Sequence, residues 1–275
     1  MSFRINTNTQ AALSLNSLNK TSNEIGMRQL RLSTGSKINS AADDSAGYTI
    51  SKKLTVETRG QAQALSNIGD AKSVLSVAEG GLNSVQDILA TMKEKVIQAG
   101  NDSLGTEERA AIQSQLNELQ GEITDIIDGT NFNGTTLLSD GAGAASTALS
   151  FQVGTKGTDV YATDAVDLSA NVYGMALDVT ASAASRTAAI DAIDTAISDV
   201  SAAASKIGDD QNRLDFKAQN LETSKTNYEA ANSRIKDADF AKEQMEIVKL
   251  QILQQTGSAM FAQANASGQS VLSFF

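Results

Sequence analysis

Apolar residues recur at alternating steps of three and four from Ile68 onward. The series is Ile68, Ala71, Leu75, Ala78, Leu82, Val85, Leu89, Met92, Val96 and Ala99, and all ten members are apolar. The chain is 41% hydrophobic. At that composition ten hits in one chosen register arise by chance about once in 10⁴. Flanking Lys72, Glu79, Gln86 and Lys93 are polar, as the shoulders of a coiled-coil seam are. A second run is Ile112, Leu116, Leu119, Ile123 and Ile126, with Thr106 placed to cap it, Glu107 and Glu108 in its first turn and Gly129 to stop it. The longest run goes Ile190, Ile193, Ile197, Val200, Ala204, Ile207, Gln211, Leu214, Ala218, Leu221, Lys225, Tyr228, Asn232, Ile235, and its polar members suit register-setting positions. At 1.5 Å per residue the third helix extends roughly 70 Å and the first roughly 50 Å. Helices of that length predict an elongated, mainly α fold of antiparallel coiled coils, not a globule.

Composition agrees with long helices and removes whole classes of chemistry. Pro is absent, so nothing interrupts the helices from within. Aromatics are 4% and Trp is absent, which leaves an aliphatic, Ala-rich core. With neither His nor Cys, the chain has no Ser-His-Asp or Cys-His mechanism, no disulfide and no His- or Cys-based metal motif. A net charge of −10 argues against nucleic acid and anionic membrane as partners. The start, Met1-Ser2-Phe3-Arg4, has no apolar h-region, and no stretch reaches membrane-spanning length. The chain therefore reads as cytosolic, or exported without a cleaved signal. No cofactor is expected.

Residues 130–186 differ, being rich in Gly, Thr, Ser and Ala. Asn133-Gly134 signals a tight turn. Leu149–Val153 and Met175–Val179 alternate apolar with polar, which predicts short β-hairpins. Gly141–Ser146 reads as a flexible stretch. The run Ser40-Ala41-Ala42-Asp43-Asp44-Ser45-Ala46-Gly47 could hold a metal or a phosphate, but its residue types fit a turn and helix cap better. Asp209-Asp210, Asp237 and Asp239 read as solvated positions or caps.

The two ends carry the functional signal. Thr7 and Gln10 resemble a capping box, followed by Ala11, Leu15, Leu18, Ser22, Ile25, Gln29 and Leu32 at heptad spacing. Near the C-terminus Met245, Val248, Ile252 and Ala259 form one stripe, and Leu250, Leu253, Met260 and Ala264 another. That arc is wider than one partner helix covers. The first and last helices leave the long coiled coil at the same end, so they are expected to pair with each other and to need further cover from other copies. Head-to-tail contact without ring closure makes a helical filament. The candidate polymerisation residues are Ile5, Leu15, Leu18, Ile25 and Leu32, with Val248, Leu250, Ile252, Leu253, Met260, Val271 and Leu272.

Several ordered motifs then resemble bacterial flagellins. They are Ile5-Asn6-Thr7-Asn8, Leu30-Arg31-Leu32-Ser33-Thr34-Gly35 and Ile38–Gly47 near the start, and Gly129–Leu138 in the middle. Ser233–Ala241, Gln251–Gly257 and Val271-Leu272-Ser273 complete the set near the end. The resemblance covers about residues 1–140 and 187–275. It implies an inner-tube helical domain from 1–40 and 240–275, and a coiled-coil domain over 41–239 with hairpins at about 130–186. No room remains for large outer domains, nor for the metallopeptidase inserts some members carry. It implies a non-enzymatic extracellular filament subunit that polymerises with itself and is exported unfolded by the flagellar type III route. An export chaperone at the C-terminal helix and hook-associated and cap proteins are the implied partners. The alternative within the same terminal pattern is a hook-associated junction protein.

The run Leu89–Gln98 matches the segment by which many flagellins contact Toll-like receptor 5 and neighbouring subunits, with Leu89, Met92, Glu94, Ile97 and Gln98 as the candidate positions. Thr91 stands where the family usually has Arg, and Lys95 where it usually has Leu. Losing a planar guanidinium and an apolar anchor predicts weak receptor activation.

Overall fold

A computed structural model describes residues 8–138, 146, 148–164, 166, 168 and 172–272, the stretch 267–272 by its backbone only. Five helices dominate: α1 (Thr9–Thr34), α2 (Ser45–Ala99), α3 (Thr106–Gly129), α4 (Ala183–Lys236) and α5 (Phe240–Leu272). Four short strands, β1 (Asn131–Phe132), β2 (Thr135–Thr136), β3 (Ser150–Gln152) and β4 (Val160–Ala162), lie between α3 and α4. The fold is mainly α with a small hairpin region, as the heptads predict. The chain divides into two compact units, Arg59–Lys225 and Met1–Thr58 with Thr226–Phe275, and α2 and α4 supply residues to both.

The 59–225 unit is built on the predicted seam. All ten heptad residues from Ile68 to Ala99 are buried. They share one core with Ala189, Ile193, Ala196, Val200, Ile207 and Leu214 of α4 and with Ile112, Leu116, Ile123 and Ile127 of α3. The last position corrects the sequence register: Ile127, not Ile126, completes the α3 seam, and Ile126 is half-buried. Polar ties on the seam shoulders fix direction. Lys72 bonds Asp215, Gln86 bonds Ser201 and Lys93 bonds Asp194. As the α2 number climbs, the α4 number falls in equal steps, so the helices are antiparallel. Gln211, a polar seam position, donates to Glu79. These pairs are half-exposed and set alignment more than stability.

Helix ends differ in detail from the expectation. Gly105, not Thr106, occupies the N-cap of α3, and no side chain caps it. Gly129 is the last helical residue, and Thr130 ends α3 in an extended conformation, its N–H bonded to the Ile126 carbonyl. Arg109 caps the preceding helix instead, donating to the carbonyls of Ala99 and Asn101. Asn133 and Gly134 turn the β1–β2 hairpin with φ of 50° and 81°. This is the left-handed pair that a two-residue hairpin needs.

The β3–β4 hairpin pairs Phe151 with Tyr161. The Tyr161 ring is buried, its hydroxyl donates to Asp210 at 2.5 Å, and the Arg213 guanidinium sits 4.9 Å from the ring centre. Burial, with Asp210 beside it, pushes the Tyr161 pKa up to about 12.

Met175–Val179 does not form a strand. Met175, Leu177 and Val179 point into the core as the alternation predicts. Their backbone is satisfied by glutamines of α3 in place of a neighbouring strand. Gln113 donates to the Leu177 carbonyl and accepts from the Val179 N–H, while Gln120 donates to the Tyr173 and Met175 carbonyls. Of Gly141–Ser146 only Ser146 lies within the described residues, and it is buried.

In the other unit, the turn between α1 and α2 uses its carboxylates locally. Asp43 accepts from the backbone of Asn39 and Ser40, which holds its pKa below the ordinary value. Asp44 accepts from the N–H groups of Ala46 and Gly47 and so caps α2. Asp239 does the same for α5 through Ala241 and Lys242. Asn232, another polar seam position, accepts from Ser51 and donates to Thr55.

Candidate interaction surface on the terminal helices

Helices α1 and α5 run antiparallel. Arg28 of α1 meets Glu243 at the start of α5, and at the other end Asn8 donates to the Ala264 carbonyl. Asn8, not Thr7, is the N-cap of α1, accepting from the Ala11 N–H, and Thr7 lies outside the described residues. Gly35, in the left-handed region at φ 66°, ends the helix. Backbone bonds from Lys37 to Lys236 and from Ala238 to Gly35 then tie the two crossing strands of chain together.

The seam between the two helices is not the one the apolar residues suggest. The α1 residues turned inward are Ala11, Ser14, Leu18, Thr21, Ile25, Arg28 and Leu32. Leu15, Ser22 and Gln29 of the expected stripe face away. On α5 the inward set is Glu243, Ile247, Leu250, Gln254, Gly257, Phe261 and Ala264. Ile247, absent from both expected stripes, is 4% exposed and is among the most buried residues of α5. Many seam residues are small, and Leu18 packs against Gly257. Small residues let two helix backbones approach closely.

Many large apolar side chains lie on the outside. Leu13, Leu15, Met27 and Leu30 are exposed on α1. On α5, Met245, Val248, Leu253 and Met260 are exposed, and Ile252 is 58% exposed. Of the proposed polymerisation residues, Leu18, Ile25, Leu32 and Leu250 therefore serve the pair itself. Leu15, Val248, Ile252, Leu253 and Met260 form its outward face. Ile5 lies outside the described residues, and Val271 and Leu272 continue α5 with side chains outside them. Leu13, Met27, Leu30 and Ile247 were not singled out by the heptad reading. A usable signal was present for this region: no charged residue occurs from Leu250 to Phe275 or from Ile5 to Asn19.

One charged cluster sits at the closed end of the pair. The Glu243 carboxylate is buried, with Arg28 at 2.7 Å and Arg31 at 3.9 Å, and Arg31 also approaches Asp43 at 3.8 Å. The hydrogen bond to Glu243 raises the Arg28 pKa further above its already high value.

The candidate receptor segment belongs to the 59–225 unit. Leu89 and Met92 are fully buried seam residues. Thr91, Glu94, Ile97 and Gln98 are exposed and Lys95 is half-buried. Lys93 is held at 2.5 Å by Asp194.

Among the described residues no helix is long and apolar enough to cross a membrane. The model for the bacterial flagellin N-terminal helical region matches residues 5–142, and that for the C-terminal helical region matches residues 190–275. Flagellin of Bacillus subtilis is 38% identical over 98% of this chain and 99% of its own. The crystal structure of Bacillus cereus flagellin superposes with a TM-score of 0.52 at 27% identity, covering 61% of this chain and 94% of its own. A structure described as a flagellar hook-associated protein of Vibrio parahaemolyticus gives a TM-score of 0.61 at 20% identity over 71% of this chain and 100% of its own, a likeness of fold alone. With both family models matched and a flagellin aligned along almost its whole length, the chain belongs to the bacterial flagellin family.

Proposed function

We propose that this filament subunit joins other copies through the outward face of the α1–α5 pair. The observation that carries this is that nine large apolar side chains stay exposed on the two helices while small and polar residues take part of the seam. Large apolar side chains left exposed together are costly in water and mark contact surfaces. Where one copy's outward α5 meets a different surface on the next without ring closure, such contacts extend into a helix. Residues 1–40 and 240–275 act as the inner-tube domain and 41–239 as the shell outside it. The same face accounts for the remaining partners. An export chaperone covers α5 around Val248, Ile252 and Leu253 before secretion by the type III route, and hook-associated and cap proteins dock at the filament ends. Toll-like receptor 5 gains little from Glu94, Ile97 and Gln98 with Thr91 and Lys95 beside them. The work is structural, and it is done outside the cell.

The test is seeded growth. Purified full-length chain added to short filament seeds extends them into long filaments, whereas chain lacking residues 256–275 keeps its helical circular dichroism and does not extend them. Growth by the truncated chain overturns the assembly face. Failure of the full-length chain to extend seeds beyond a few copies returns the reading to a hook-associated junction protein.

A further inference from the structure

We propose that Glu243 is the alignment-setting residue of the terminal helix pair: its buried carboxylate, held by Arg28 and Arg31, selects one longitudinal alignment of α1 against α5. The rest of the seam selects less sharply. Its other inward residues are uncharged, so a heptad slip changes their packing, setting Leu250 or Ala264 where Gly257 meets Leu18, but strands no charge among them. The charged end does not tolerate that slip. A heptad slip in one direction moves Glu243 from Arg28 to Thr21 and carries Arg28 past the start of α5, to the level of Lys236. A slip the other way moves Glu243 to Gly35 and sets Arg28 against Leu250. Each breaks the Arg28–Glu243 contact and leaves Glu243, which is 6% exposed, with no cation directly opposite it. An unpaired charge in such a site is strongly disfavoured, and a single buried polar group fixing register is the best-attested use of one. Lys20, the cation nearest Thr21, is exposed and does not lie on the seam. The backbone bonds at Gly35, Lys37, Lys236 and Ala238 also close this end, but water can replace them when they part.

Alignment matters because it fixes the relative heights at which α1 and α5 present their outward residues. In that step the inference rests on the assembly reading above. The alignment itself is measurable without assembly. The chain has no Cys, so introduced cysteines report alone. In the parent sequence, Leu18→Cys with Gly257→Cys should close a disulfide within the chain. The slipped pairs, Leu18→Cys with Leu250→Cys or with Ala264→Cys, should stay open under the same oxidant. Adding Glu243→Leu should raise closure of a slipped pair relative to the native pair by roughly tenfold or more. Glu243→Gln keeps the shape, removes the charge and decides the matter if Glu243→Leu closes no disulfide at all. A rise in slipped closure with Glu243→Gln supports the proposal. Slipped closure at the parent level in every 243 variant that folds overturns it. Peptide mapping of the soluble chain gives this answer whether or not seeds are extended, so failure of alignment and failure of the assembly face are told apart.

Discussion

Ile247 and Ile252 lie five residues apart on α5 and are chemically identical, yet the first is 4% exposed and the second 58%. Replacing each in turn separates the inside of the pair from its outside. Full burial of an Ile side chain contributes about 1.5–3 kcal/mol. The exposed fraction of Ile252, 58%, is what a neighbouring copy can cover, so Ile252→Ala removes at most about 0.9–1.7 kcal/mol from each subunit addition. That corresponds to a rise of at most about fivefold to twentyfold in critical concentration. Ile252→Asp places a carboxylate in an apolar contact, a cost of several kcal/mol, about 100-fold or more. Neither change touches the α1–α5 seam, so amide exchange in the α5 backbone of the soluble chain stays as in the parent. Ile247→Ala reverses this pattern: it opens a cavity in the seam, costs about 2–4 kcal/mol of pairing and speeds amide exchange along α5. Critical concentration is read by sedimenting filaments after seeded growth, and exchange by mass spectrometry of the soluble chain. Growth of Ile252→Asp at the parent critical concentration refutes the outward face as the contact surface.

Two further outcomes test the 59–225 unit. Tyr161, raised to about 12, deprotonates later in the folded chain than in the unfolded one. Its contribution to stability is therefore complete below pH 10 and is lost as pH climbs from 10 towards 12. Absorbance at 295 nm should show late tyrosinate formation that Tyr161→Phe removes, along with that part of the alkaline loss. Gln113→Ala strips partners from the buried Leu177 carbonyl and Val179 N–H. The expected loss is about 1–3 kcal/mol in urea unfolding, with faster exchange at the Val179 amide.

The two helix pairings were not equally legible in the sequence. The α2 seam is a run of aliphatic residues with no competing stripe, so the heptad count and the burial coincide at every position from Ile68 to Ala99. The terminal helices break the assumption behind that count. Ser14 is on the seam and Leu15 is off it; Gln254 is on the seam and Leu253 is off it. A rule that places the more apolar residue inside chooses wrongly at such positions, because the face it finds is waiting for something outside the chain. Met175–Val179 shows a second limit. Its alternation identifies the buried side chains, but alternation says nothing about which groups satisfy the backbone, and here those are glutamine side chains.

That wrong choice has a thermodynamic meaning. In α2 the strong apolar contacts are made within one copy, so that seam holds its own unit together. In α1 and α5 Ala11, Ser14, Thr21, Gln254, Gly257 and Ala264 share the seam with larger apolar residues, and each of those positions gains less from burial than an Ile or Leu there would, at about 25 cal/mol per Å² of apolar surface. On the proposed assembly, the apolar area exposed on the outward sides of α1 and α5 is removed from water when another copy covers it. Ordering of the terminal pair and addition of a subunit then draw on the same side chains. A substitution such as Ile252→Ala acts on both through mass action: anything that weakens the neighbour's grip also removes the ligand that stabilises the ordered pair. On that assembly, an outward-facing residue with little contact inside its own chain becomes a determinant of how well that chain's ends are folded in the filament.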